Sequence, residues 1–355
     1  MAHDIAKNIA YLTHGMALMF FMLASYNLFK LQKNSRLLKF LFYEFLLFLL
    51  IEIKDLIYIN DALWDNDYVN HAFFSIDLIV VPVTIIFLFE LITPYWVSLR
   101  KTLLIVSPSI ILTLLYVFSD ISSFYHILIV WSVVMGISSI IVVCFVSVQY
   151  DKIIERNFSY VENINIKWIR YTISALFVYL LVWVALQKYD NWWADAFYYL
   201  LSIYLWWTVY HYSIRHVVVK FPELYDFFKK NDKSTIISKQ NQWKNKYIDK
   251  DKLDKIMKEQ MIFLNPKLNV QDLANIIGTN RTYLSSYLNK ELHLTFYAYI
   301  NAYRIQYACS ILKTNCSINF EDLAELSGFN SFSTFRRAFF VTVKMTPTQY
   351  RNQFC

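Results

Sequence analysis

Seven apolar runs fill the first 215 positions of the chain, each near the roughly 20 residues that a helix needs to cross a bilayer. They are approximately Ile9–Phe29, Leu37–Ile59, Ala72–Ile92, Leu103–Phe118, Tyr125–Val148, Ile169–Leu186 and Ala194–Ile214. A soluble core cannot absorb so much apolar surface. Hydrophobic residues make up 57% of the chain and charged residues only 17%, against about 45–50% and about 25% in a soluble domain. The runs therefore predict a seven-transmembrane-helix bundle over residues 1–215. Pro82 and Pro108 fall inside runs and predict kinks, which membrane helices tolerate. The first run is too long for a signal-peptide core, and Lys30, Lys33, Arg36 and Lys39 follow it closely, so a retained span is expected rather than a cleaved leader.

Orientation follows from the basic residues of the connections. Lys and Arg number 4, 0, 2, 0, 4 and 1 through the six connections in order. The acidic second connection, with Asp61, Asp65 and Asp67, carries no base. This alternation predicts a multi-pass protein of the bacterial inner membrane, with its amino terminus outside and its carboxyl-terminal part in the cytoplasm. Trp96, Trp168, Trp192 and Trp193 lie near the predicted span ends, where interfacial aromatic residues belong.

Glycine excludes much chemistry. The chain has only Gly15, Gly136, Gly278 and Gly328, too few and too scattered for the clustered glycines of a P-loop, a dinucleotide fold or an ATP lid. Cys144, Cys309, Cys316 and Cys355 lack metal-ligand spacing, so neither a zinc site nor a disulfide framework is expected. No nucleophile–base arrangement is legible either. The expectation is a protein that is not an enzyme and holds no cofactor or metal.

The charge balance breaks sharply near residue 215. Residues 1–215 carry 14 Lys and Arg against 15 Asp and Glu, whereas residues 216–355 carry 20 against 12. A basic excess on a soluble domain points to a polyanionic partner. Residues 216–248 read as a cytoplasmic tether, with Phe221, Leu224, Tyr225 and Phe228 at helical spacing. From Asp249 a helical period returns through Leu253, Ile256, Met257, Met261 and Leu264 until Asn265-Pro266 stops it.

An internal repeat follows. Leu268-Asn269-Val270-Gln271-Asp272-Leu273-Ala274 recurs fifty residues later as Ile318-Asn319-Phe320-Glu321-Asp322-Leu323-Ala324, and each copy leads to a glycine, Gly278 or Gly328. A helix-turn-helix accounts for both features: the small alanine admits a crossing helix, and the glycine supplies the positive-φ residue of the turn. Asn280 and Asn330 are the expected caps of the second helices, Arg281–Asn289 and Phe332–Phe340. Leu284, Leu288, Phe335 and Phe339 should pack inward. Helix Phe296–Lys313 should join the two copies.

These residues resemble the DNA-binding domain of AraC/XylS-type transcription regulators over about Asp249–Arg351. The matching string is Asp272-Leu273-Ala274, Gly278, Asn301-x-x-Arg304-Ile305-x-x-Ala308, Asp322-Leu323-Ala324, Gly328-Phe329 and Thr346-Pro347-x-x-Tyr350-Arg351. The Leu264-Asn265-Pro266 context resembles the subgroup fused to multi-pass membrane domains. The resemblance implies a double helix-turn-helix domain over residues 249–355, whose recognition helices enter successive major grooves of double-stranded DNA. By position, Thr282, Ser285, Ser286 and Lys290 would face DNA from the first helix. Phe332, Ser333, Thr334, Arg336 and Arg337 would do so from the second. Where the family usually has glycine near each recognition helix's end, this chain has His293 and Lys344. Phe340-Val341 occupies a stretch where basic residues are common. The reduced set of phosphate contacts points to a homodimer.

In the membrane part, ionisable residues are costly and mark partners or pathways. Glu44, Glu52 and Asp55 fall on one face of the second helix, with Lys54 beside them, Asp77 on the third helix and His14 on the first. They form a candidate intramembrane sensor cluster for an unidentified small-molecule or membrane signal; the plainer alternative is a set of ion pairs, Lys54 with Asp55 or Asp77, that holds helices together. His211 and His216 read as interfacial. The whole predicts an all-α, membrane-anchored DNA-binding transcription regulator. Its rivals are a transporter or membrane enzyme with an accessory DNA-binding module, and a membrane part that only anchors.

Overall fold

The computed structural model describes residues 2–33, 35–59, 66–162, 164–186, 192–218 and 250–354. The tether positions Phe221, Leu224, Tyr225 and Phe228, and Asp61 and Asp65 of the second connection, lie outside them. All regular elements among the described residues are helical. Two units emerge, one from Met1–Val148 with Ile166–Phe228 and one from Gln149–Asn165 with Lys229–Cys355, each by its described residues.

The first unit comprises α1 (Ala2–Leu31), α2 (Arg36–Asp55, extended by a 3-10 turn Leu56–Ile59), α3 (Asp67–Asp77), α4 (Val80–Ile92), α5 (Leu99–Ser119), most of α6 (Ser122–Asn157), α7 (Lys167–Leu186) and α8 (Trp192–Arg215). Four helices here, not seven, are long and apolar enough to cross a membrane among the described residues: Asp4–Leu31, Asp67–Ile92, Leu99–Ser119 and Ser122–Asn157. The second predicted run loses that character because Arg36, Lys39, Glu44, Glu52, Lys54 and Asp55 all lie within α2. In α8, Trp and Tyr replace aliphatic residues over much of the length, and their rings carry a polar end. The described side chains of α7 stop at Val182.

Proline acts differently at its two predicted sites. Pro82 sits in the first turn of α4, and the apolar run breaks just before it, between Asp77 and Val80. A proline there has no N–H to donate, and its ring crowds the carbonyl four residues earlier, at Leu78. Pro108 instead stays inside an unbroken α5.

Aromatic side chains fill the centre of the first unit. Phe21 of α1 stacks on Phe48 of α2 at 5.0 Å, and Trp206 of α8 lies 4.5 Å from Phe48 and 5.7 Å from Phe45. Gly136 lets α6 approach α7 closely, for a Cβ there would lie 2.8 Å from the ring of Phe177. On the outside, Leu99, Leu104, Phe118 and Tyr171 are largely exposed.

The second unit is built from α9 (Lys250–Glu259), a 3-10 turn Ile262–Leu264, α10 (Val270–Ile277), α11 (Arg281–Lys290), α12 (Phe296–Thr314), α13 (Phe320–Leu326), α14 (Phe332–Val343) and α15 (Pro347–Phe354). The helical period through Leu253, Ile256 and Met257 is present and buried, but α9 ends at Glu259, before the expected stop. Met261 adopts φ 47 in the left-handed region and is exposed, so it leaves the apolar face. Two cores result. Phe296, Tyr299 and Ile300 of α12 join Leu273, Ala274, Leu284 and Leu288 in one. Ile305, Ala308 and Leu312 join Leu323, Ala324, Phe335 and Phe339 in the other. The joining helix therefore serves both helical hairpins, its amino half one and its carboxyl half the other. Cys144 and Cys309 are free thiols.

A further component of this unit comes from far upstream. Gln149–Asn165, the end of α6 and the connection to α7, folds with it. Phe158 forms an antiparallel bridge with Asn269, and the Ser159 amide donates to the Leu268 carbonyl at 3.1 Å.

Candidate nucleic-acid interface

Each repeat folds as a helical hairpin whose ends are fixed by its own side chains. Asn269 caps α10 by accepting from the amides of Gln271 and Asp272, while the Asp272 carboxylate accepts from the Asn269 amide, a reciprocal capping box. Asn319 caps α13 through the Glu321 amide. Gly278 and Gly328 both have φ 81, as the turn requires. Asn280 caps α11 through the Tyr283 amide at 2.9 Å. In the second copy the cap moves by one position: Ser331, not Asn330, accepts from the Thr334 amide. Asn330 instead donates to the Pro266 carbonyl.

The faces of α11 and α14 sort the predicted contact residues. Leu284, Leu288, Phe335 and Phe339 are fully buried, as the spacing predicts. Thr282 and Lys290 are exposed on α11, with Ser285 and Ser286 half-buried beside them. On α14, Ser333, Arg336 and Arg337 are exposed. Thr334 and Phe332 depart from the outward set. Thr334 is buried, its hydroxyl against the capping Ser331. Phe332 is half-buried, with its ring stacked on Phe320 and tilted against Phe335. Both fall on the inward side because the cap at Ser331 sets the start of the helix. Phe340 and Val341 are exposed near its far end.

The family-type glycine positions keep their geometry without glycine. His293 has φ 53, and Lys344, the carboxyl cap of α14, has φ 62. Both residues carry a Cβ in the left-handed region, which costs about 1–2 kcal/mol.

Arg304 is the most elaborately held side chain of the unit. It is 1% exposed and donates to the carbonyls of Phe263, Asn265 and Ser159, to the Asn301 side chain and to the Ser159 hydroxyl, at 2.7 to 3.1 Å. Burial lowers its pKa to about 10, against an opposing pull from Glu162. It therefore stays charged at neutral pH and acts as a staple among three chain segments. Arg351 lies 3.8 Å over the ring of Phe320 and donates to the Ile318 carbonyl. The two arginines of the quoted motif string are thus committed to packing, whereas Arg336 and Arg337 are exposed, Arg337 with one hydrogen bond to the Tyr297 hydroxyl at 3.4 Å.

Residues 273–353 match the family model of a helix-turn-helix domain. The match runs from within α10 to within α15 and so covers both hairpins. It agrees with the AraC-type resemblance of the sequence and supports a DNA-binding domain of a transcription regulator. No curated protein and no solved structure matches the chain.

The polar residues of the first unit separate into pairs. Lys54 lies 2.8 Å from Asp55 and 2.6 Å from Asp77, bridging α2 and α3. His14 of α1 lies 3.2 Å from the Glu52 carboxylate and stacks on Tyr199 of α8 at 4.8 Å. Glu44 does not join them. It is fully buried and accepts from the Thr84 hydroxyl of α4. An ion pair that sequence reasoning missed links Arg36 to the buried Glu90 at 3.1 Å. Neither residue lies on a patterned acidic face, and only the helix packing reveals it. Among the described residues no group of His, Cys, Asp and Glu could hold a metal ion.

Proposed function

We propose that the chain is a membrane-anchored, sequence-specific regulator of transcription. Its first unit sits in the bacterial inner membrane through several helices, with the amino terminus outside and the helix-turn-helix unit in the cytoplasm. The observation that carries the reading is the exposed pair Arg336 and Arg337 on the second helix of a tandem helix-turn-helix that its own caps and cores hold rigid. Arginine can bind guanine in bidentate fashion, worth about 1–3 kcal/mol of discrimination. Ser333, and on the first helix Thr282, Ser285, Ser286 and Lys290, complete the contact surface. Binding as a homodimer supplies the phosphate contacts that one copy lacks. We assign sensing of an unidentified signal to the His14–Glu52 pair and the Lys54–Asp55–Asp77 group, on the support of their ion pairs alone, and we assign the chain no enzymatic step.

The test is binding of the full chain, in lipid nanodiscs, to its selected genomic site and to random duplex. Arg336→Ala or Arg337→Ala should weaken binding to the selected site about tenfold, and much less to random DNA. Equal losses on both, with a shallower salt dependence, would reassign that arginine to phosphate contact. Absence of salt-dependent binding by the unaltered chain would overturn the reading altogether.

A further inference from the structure

The segment that follows α6 reaches the second recognition helix. Ser159 is buried and anchored twice, by its amide and hydroxyl on the Leu268 carbonyl and by its own carbonyl and hydroxyl under Arg304. This anchor places Glu162 beside the amino end of α14, where the hydroxyl of the capping Ser331 donates to the Glu162 carboxylate at 3.1 Å. Glu162 is half-buried, so its charge is only partly screened by solvent.

A recognition helix addresses base edges with its amino-terminal residues, and the duplex brings its phosphates to the same end. The positive end of the helix dipole and the capping hydroxyl of α14 are here already engaged by a carboxylate of the same chain. We propose that the connection Phe158–Glu162 is an intramolecular brake on DNA binding, which holds the Glu162 carboxylate at the amino end of α14 in competition with the phosphates of the duplex. The inference rests on the DNA-binding reading above. Phe158 follows the last residue of α6 directly, so the brake and the end of α6 belong to one continuous stretch of chain.

The test is the affinity of the full chain in nanodiscs for random-sequence duplex at fixed low salt. Glu162→Gln keeps the shape and the acceptor for Ser331 while removing the charge. It should bind roughly fivefold tighter, the scale of one like-charge repulsion at partly solvated separation. Glu259→Gln, an exposed carboxylate on α9, removes the same charge elsewhere and should leave affinity within about twofold. An unchanged or weaker affinity for Glu162→Gln overturns the brake while leaving DNA binding intact. Equal tightening in both variants also overturns it, since net charge would then be the cause. Failure of every form to bind DNA would instead sink the underlying reading, and the brake with it.

Discussion

Replacing Gly328 by alanine combines two penalties that the structure lets one estimate separately. The residue has φ +81, and a Cβ there would lie 2.7 Å from the carbonyl oxygen of Leu264 and 2.9 Å from its Cα. The left-handed backbone alone costs about 1–2 kcal/mol for a residue with a Cβ. The contact adds about 1–3 kcal/mol, the cost of forcing an atom into a packed interior, and no flexible side chain can yield because the obstructing atoms are backbone. Together these come to about 3 kcal/mol, which corresponds to roughly a hundredfold in an opening equilibrium. Amide exchange of the full chain reads this locally: the amides of α13 and α14 should exchange about a hundredfold faster. Gly15→Ala is the internal control, since nothing lies within 4 Å of a Cβ there, and exchange in α1 should not accelerate. A change of less than about fivefold in α14 would show that the turn relaxes at little cost, and the close approach of the turn to Leu264 would then not be a constraint on the hairpin.

Lys344→Gly should have the opposite sign, because glycine relieves the left-handed strain at φ 62; a gain of about 1 kcal/mol, seen as roughly fivefold slower exchange in α14, is expected. Faster exchange there would mean that the lysine side chain contributes more than its backbone costs. In the first unit, Lys54→Met leaves Asp55 and Asp77 without the cation that both face. The full chain should lose about 3–5 kcal/mol of stability, read as a lower melting temperature, and Lys54→Met with Asp77→Asn should recover part of the loss. Melting of Lys54→Met at the unaltered temperature would show that the triad does not hold α2 to α3.

Local features of the second unit were legible in the sequence because they are short-range. The fifty-residue repeat, the turn glycines and the inward positions Leu284, Leu288, Phe335 and Phe339 all depend on spacing within one hairpin. The shift of the second cap from Asn330 to Ser331 was not legible, since either side chain can cap and only the start of α14 decides between them. The early end of α9 was hidden because Met261 fits the apolar period yet adopts a left-handed conformation. Charges in the first unit were visible on the face of α2, but their partners on α1, α3 and α4 are set by packing. Hardest to foresee was the role of Ser159. Its partners Leu268 and Arg304 lie 109 and 145 positions away, and nothing in Phe158-Ser159-Tyr160 marks it as part of another unit.

That discontinuity bears on how the protein is made. Synthesis runs from the amino terminus and folding proceeds largely in that order. Gln149–Asn165 therefore leaves the ribosome before α7, α8 and the rest of its own unit. The buried Arg304 needs acceptors from Ser159 as well as from Phe263 and Asn265, so the second unit closes around Arg304 only once the upstream segment holding Ser159 has joined it. A chain in which Ser159 stayed out of place would carry an unclosed helix-turn-helix unit, with two of the hydrogen-bond acceptors for a buried guanidinium missing. Closure of the helix-turn-helix unit is thereby tied to a segment made well before it, a form of quality control that arises from chain order alone.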